Sequence, residues 1–158
     1  MYRIGQGTDF HRLEEGHEFW IGGVRVPHTK GAVAHSDGDV LLHALCDALL
    51  GALGLGDIGK HFPDTDIRWK GADSKVLLQR VHSMVREKGY WLVNADCTLL
   101  LEAPKISPYI ESMQNAICHI LNVGREEVSI KATTAETLSF IGREEGVVAT
   151  ATVLLQKF

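Results

Sequence analysis

The stretch Ser36–Gly56, SDGDVLLHALCDALLGALGLG, decides the reading of the fold. Leu41, Ala44, Leu45, Ala48, Leu49 and Ala52 recur at the helical period, so the stretch reads as a long amphipathic helix. Ser36, with Asp39 three residues on, reads as a capping box that opens it. Gly54 and Gly56 close it. At about 100° per residue, Leu41, Ala48 and Ala52 mark the centre of the apolar face. His43 falls nearly opposite that centre, with Asp39 and Asp47 each one turn away.

Upstream, Tyr2–Gly7 reads as a short strand running into GQGTDFH, Gly5–His11. Residues two apart on a strand share a side, so Asp9 and His11 point the same way where the strand gives out into a loop. EFWIGGVRV, Glu18–Val26, places apolar runs about Gly22-Gly23, a hairpin signal. Downstream, GDIGKHFPDTDIRWKG, Gly56–Gly71, is a long polar loop of the kind that tends to carry function. Asp73–Lys88 is a second helix with Val76, Leu77, Val81, Met84 and Val85 inward and Gly89 as its stop. YWLVNADCTLLLEA is a strand, and Ser107-Pro108 opens a third helix that ends near Gly124. EVSIKATT and GVVATATVLLQKF are strands, joined through a turn or short helical segment in AETLSFIGREEG.

This order predicts an α+β fold, an α/β sandwich, as one domain over 1–158: a mixed β-sheet with helices on one face. The other face carries Val148, Thr150 and Thr152, or alternatively Val147, Ala149 and Ala151. VVATATVLL reads as too apolar for open solvent, which predicts an oligomer.

Composition narrows the function. The chain has 158 residues, 45% hydrophobic and 23% charged, as soluble globular proteins do. A formal charge of −4 argues against a nucleic-acid-binding face. No apolar run approaches a membrane span. The start, MYRIGQG, lacks the segments of a secretory signal. The expected location is a bacterial-type cytoplasm, with a plastid open if a transit peptide has been removed. Cys46, Cys97 and Cys118 are scattered and odd in number, which points to reduced thiols and against a thiolate zinc site.

Several segments carry chemistry alongside a plainer reading. Asp9, His11 and His43 offer the two imidazoles and one carboxylate of a usual catalytic zinc set, with Asp39 or Asp47 as acceptors for an imidazole N–H. The plainer reading is a polar strand end and a surface histidine. His35 and Ser36 precede a helix, where free amides favour an anion or simply a cap. Asp57, Gly59, Lys60, His61, Asp64 and Asp66 suit a polyol, or are an ordinary turn-rich loop. In KATTAE, Thr133 and Thr134 suit phosphate oxygens and Glu136 a hard cation, or the threonines reflect strand propensity. Leu101–Ser107, with Lys105, could read a flat base edge, or is a loop entering a helix.

GQGTDFH, AHSDGDVLLHALCDALLGALGLGDIGKHFPDTD, KGADS, EAPKI, KATTAE and GREEG occur in that order over nearly the whole chain. Together they resemble the 2-C-methyl-D-erythritol 2,4-cyclodiphosphate synthase family. The resemblance implies a zinc ion, one per active site, on Asp9, His11 and His43. His35 and Ser36 would flank the reacting phosphates, with His35 and Thr134 in catalytic roles. Asp57, Ile58 and Gly59, with Phe62, Pro63, Asp64, Thr65 and Asp66, would hold the methylerythritol part. Ala103, Pro104, Lys105, Ile106 and Ser107 would form a cytidine pocket contributed by a neighbouring subunit. Thr133, Thr134 and Ala135 would meet the diphosphate, with Glu136 acting through Mg2+ or Mn2+.

It also implies a homotrimer whose sheets face each other and whose active sites lie between subunits. Phe140, Arg143 and Glu145 would line the central axis, a place for an isoprenoid diphosphate. The expected reaction closes a cyclic diphosphate on a cytidine diphosphate substrate. The rivals are a metal-dependent nucleotide-diphosphate hydrolase and an isoprenoid-diphosphate binding protein with a structural zinc. Relatives often carry three threonines before the glutamate, and here Ala135 takes the third place. That departure bears on the fine contacts to the diphosphate.

Overall fold

The computed structural model describes Met1–Phe158. The first strand, β1 (Tyr2–Glu15), runs well past Gly7. Its polar second half does not fray into a loop because two remote strands hold it. Its Tyr2–Arg12 part pairs antiparallel with β7 (Gly146–Lys157), and its Arg12–Glu15 part with β4 (Lys30–Val33). Asp9 and His11 are therefore mid-strand. Between β1 and β4 lies the expected hairpin, β2 (Trp20–Ile21) and β3 (Val24–Arg25). Gly22 and Gly23 both adopt positive φ, +60° and +78°, as its tight turn demands.

The sheet order is β4-β1-β7-β5-β6, with β5 (Tyr90–Leu100) and β6 (Val128–Thr133) parallel and the other pairs antiparallel. The helices α1 (Val40–Ala52), α3 (Ser74–Glu87) and α4 (Ile110–Leu121) pack side by side on one face. A cluster of 38 buried residues fills the layer between. Two short helical turns, α2 (Ile58–His61) and α5 (Ser139–Gly142), sit in the connections.

The capping box is not formed. Asp39 is itself the N-cap, accepting from Leu42 N–H at 3.0 Å, and Ser36 lies outside the helix. Nor is α1 one-sided: every residue from Val40 to Leu50 except Asp47 is buried, because the sheet, α3 and the hairpin enclose it. On the next helix, Val76 is 44% exposed and Leu78 takes an inward position. Ser107-Pro108 opens a 3-10 turn, Ser107–Tyr109, and α4 starts only at Ile110.

Alternation settles the faces of β7. Val147, Ala149, Ala151, Val153 and Leu155 are buried under the helices. Val148, Thr150, Thr152 and Leu154 lie on the open side, beside Phe10, Thr8, Gln6 and Ile4 of β1. The strand's hydrophobicity is thus divided between the layers. The open face mixes threonines with Ile4 and Phe10, which are 72% and 59% exposed.

Candidate functional site

On β1 the alternation Gly5, Gly7, Asp9, His11 faces α1. The two glycines let that helix lie directly on the strand. A Cβ at Gly5 would collide with the carbonyl oxygen of Ala48, and one at Gly7 with that of Ala44. The same close approach brings His43 over the strand one step further on. His11 Nε2 lies 2.9 Å from Asp9 Oδ2, and His43 Nδ1 lies 3.2 Å from the same oxygen and 3.1 Å from His11 Nε2. A tetrahedral ion with bonds of about 2.0 Å sets its donors about 3.3 Å apart. The three atoms form one face of such a polyhedron, so the donor set and its spacing both fit a metal ion.

Electrostatics agrees. Burial works against the Asp9 carboxylate, but hydrogen bonds and charge from His11 and His43 outweigh it and hold its pKa down to about 2. Burial disfavours the charged form of His43, yet Asp9, joined by the charges of Asp39 and Asp37, outweighs it and raises the pKa. An anionic carboxylate facing two imidazoles is the arrangement a divalent cation needs.

The flanking aspartates of α1 do other work than holding an imidazole. Asp39, fully buried, accepts from Gly22 N–H and Gly23 N–H at 2.9 and 2.7 Å as well as from Leu42. It ties the hairpin turn to the helix start. Burial pushes its pKa up while the backbone donors oppose that. Asp47 accepts from Ile58 N–H at 2.8 Å and so anchors the start of the polar loop. His43 Nε2 instead meets Ser74 Oγ at 2.8 Å and Ser36 Oγ at 3.2 Å.

A cavity of about 350 Å³ opens beside the three donors. His11, His35, Ser36, His43, Ile58, Gly59, Phe62 and Asp64 line it, so four of the eight polar-loop candidates named by the resemblance are brought to the metal-type cluster. Trp69 and Leu77 also line it. The sequence reading missed both, although an aromatic inside a polar loop is a signal that something is being covered. Phe62 is buried edge-on against Trp69, ring centroids 4.9 Å apart, and this pair pins the loop. Asp57 and Asp66 do not line the cavity: each caps a short helical turn, and Asp66 pairs with Arg68 at 2.6 Å. Pro63 and Thr65 do not line the cavity either.

The remaining candidates gather elsewhere. Pro104, Lys105, Ile106, Ser107, Thr133 and Thr134 line a second cavity of about 430 Å³, with Leu101 and Glu102. Ala103 lies within that corner without lining it. Glu102 is the residue that sequence reasoning left out. Its carboxylate accepts from Ala135 N–H and Thr137 N–H, both at 3.1 Å, and folds the turn that presents Thr134 and Glu136. Thr134 Oγ1 and Glu136 Oε1 are 3.1 Å apart, and Glu136 and Thr137 hold left-handed backbone, φ +52° and +65°. Such strain outside glycine collects at functional sites.

The two cavities share no residue. In register, Phe10, Val148, Leu100 and Thr133 lie side by side across β1, β7, β5 and β6. Three strand spacings, about 14 Å, therefore separate the two sets. Asp9 and His11 point to the helices, whereas the second cavity sits at the end of edge strand β6, where Ala132 and Thr133, which alternate to opposite sides, both line it. Phe140 lies near Phe10 on the open side of the sheet, centroids 6.1 Å apart, and Arg143 is paired with Glu145 at 2.9 Å. All three cysteines are free and buried, with burial pushing the Cys97 thiol up to about 12. No helix is long and apolar enough to cross a membrane.

The sequence profile of the YgbB family matches residues 2–156. The 2-C-methyl-D-erythritol 2,4-cyclodiphosphate synthase of Geobacillus thermodenitrificans is 59% identical over 157 residues, spanning 99% of this chain and 98% of that protein. A solved structure of a synthase of the same name, in a form bound to CDP, superposes with a TM-score of 0.91 at 42% identity over 98% of this chain and all of that one. The bifunctional IspDF protein of Campylobacter jejuni matches with a TM-score of 0.96 at 43% identity. There this chain is covered in full and corresponds to 43% of the longer protein.

Proposed function

The chain belongs to the YgbB family, and from that premise we infer that it is a cyclodiphosphate synthase of the non-mevalonate isoprenoid pathway. It converts 4-diphosphocytidyl-2-C-methyl-D-erythritol 2-phosphate to 2-C-methyl-D-erythritol 2,4-cyclodiphosphate. The 2-phosphate oxygen attacks the β-phosphorus, and CMP leaves. The observation that carries the reading is the convergence of Asp9, His11 and His43 beside a cavity lined by the polar loop. The whole chain acts as one catalytic domain, in a bacterial-type cytoplasm.

One carboxylate and two imidazoles with a free fourth position favour zinc, which when bound polarises a phosphoryl oxygen. Glu136, exposed beside Thr134, suits a Mg2+ or Mn2+ ion shared with the diphosphate, since magnesium is held by few carboxylates plus substrate phosphates. The chain's own groups do the positioning. His35 and Thr134 donate to phosphoryl oxygens whose charge grows in the transition state. Ser36 flanks the reacting phosphate, and the Ile58 and Gly59 backbone and Asp64 hold the polyol hydroxyls. Lys105 and the Ala103–Ser107 backbone receive the cytidine. Bringing two anionic groups together is chiefly a matter of orientation and charge neutralisation.

Within one protomer the two cavities share no residue and stand about 14 Å apart across the sheet. The reading therefore takes the second set from a neighbouring subunit, in a homotrimer packed through the open face of Ile4, Phe10 and Leu154. Sedimentation should then return three chains of 17.4 kDa. An isoprenoid diphosphate on the trimer axis, near Phe140, would have to displace Glu145 from Arg143. The decisive experiment for the reaction is incubation with the proposed substrate and Mg2+, followed by phosphorus NMR. A cyclic diphosphate plus CMP supports the synthase, and an open-chain bisphosphate plus CMP overturns it.

A further inference from the structure

We propose that Ser74, held by Asp37, is a positioning residue that fixes the tautomer and orientation of the metal ligand His43. An imidazole that gives the lone pair of Nδ1 to a metal keeps its proton on Nε2. In His43, Nδ1 faces Asp9 and His11, so Nε2 is the donor nitrogen. Its nearest partner is Ser74 Oγ at 2.8 Å. The Ser74 hydroxyl donates in turn to Asp37 Oδ1, which turns its lone pairs towards the imidazole. The Ser74 amide donates to Asp37 Oδ2 at 2.9 Å, so the same carboxylate grips the residue twice. Ser74 has no exposed surface, so the contact is shielded from bulk solvent.

The alternative acceptor, Ser36 Oγ, is 3.2 Å from Nε2 and is already engaged by Gly38 N–H. The direction of every hydrogen bond in the chain from His43 to Ser74 to Asp37 is therefore set, with the negative charge at its far end. Partners of this kind typically contribute ten- to a hundredfold to metal affinity. Ser74 opens α3, directly after the polar loop, so the contact also joins the metal ligand to the end of the segment that lines the cavity.

The inference rests on the metal reading of Asp9, His11 and His43. It is tested by titrating the metal-free protein with Zn2+ against a chromophoric chelator, alongside nitrogen-15 NMR of the histidine rings. In the zinc-loaded wild type, the His43 Nε2 proton should exchange slowly. Ser74→Ala should weaken zinc binding ten- to a hundredfold and make that proton exchange rapidly, and Ser36→Ala should leave zinc affinity within threefold. If Ser74→Ala does not fold, Ser74→Cys, with its weaker acceptor, serves instead. A wild type that binds no zinc overturns the metal reading itself. Zinc affinity unchanged in the Ser74 variant, an equal loss in Ser36→Ala, or a rapidly exchanging Nε2 proton in the wild type overturns the positioning role alone.

Discussion

Asp9, His11 and His43 stand on a long strand held by β7 and on a helix enclosed by the core, whereas Thr134 and Glu136 stand past the end of β6 on an exposed turn. The first set is placed by the packing of the whole molecule, down to the glycines that let helix touch strand. The second is placed by one carboxylate, Glu102, and a few residues of left-handed backbone. Damage to the first set should act through metal and stability together. Damage to the second should reach the reaction while leaving the fold and the metal alone.

The sharpest way to break that contrast is His43→Ala. Residues that merely hold a metal ligand contribute ten- to a hundredfold, so loss of the ligand itself should lower turnover more than about a hundredfold and empty the site. Elemental analysis of the purified variant checks this, and stoichiometric zinc in it would contradict the assigned ligand set. Asp39→Ala tests whether the core positions the metal half. It leaves the amides of Gly22, Gly23 and Leu42 without their acceptor, and should cost roughly 2–4 kcal/mol in denaturant unfolding.

Acidity probes the same half more gently. Metal must displace the His43 proton, whose pKa is raised, while Asp9, with a pKa of about 2, stays ionised. Zinc affinity should therefore rise with pH, about tenfold per pH unit for each proton the metal must displace, and level off only where the imidazole ligands are neutral. In the metal-free protein the sign reverses. His43 contributes stability that is present below its unfolded pKa of about 6.5 and is lost as pH rises through its folded value. Asp9 contributes stability that is present above about 3.9 and is lost as pH falls towards 2. The metal-free pair thus helps most between about pH 4 and 6.5, which thermal melts across pH would show. The smallest effect belongs to Glu102→Gln, which weakens the grip on one of two turn amides. Turnover should fall about tenfold, with zinc content and melting temperature unchanged.

Much of this was legible beforehand. Apolar periodicity located α1 and α3, the glycine pair located the hairpin, and GQGTDFH with His43 named the three donors. What was misread has one physical cause: partners remote in the chain. Tyr2–Gly7 grew to Glu15 because β7 and β4 pair with it. Asp39, offered with Asp47 as an acceptor for an imidazole and with Ser36 as half of a capping box, serves three backbone amides. Val76 and Leu78 exchanged roles because the seat of α3 on its neighbours, not its own pattern, sets the buried side. Ser74 and Glu102 carried no local signal of their roles, and Trp69 carried one that went unread.

The chemistry of the donors, the small residues that permit a helix to touch a strand, and the turns that need positive φ are properties of the residues themselves, and the chain alone determined them. Which nitrogen of His43 faces the metal site and which hydroxyl holds the other were decided by tertiary structure. Those are matters of a few tenths of an ångström between groups more than thirty residues apart, and local preference has no hold over such distances.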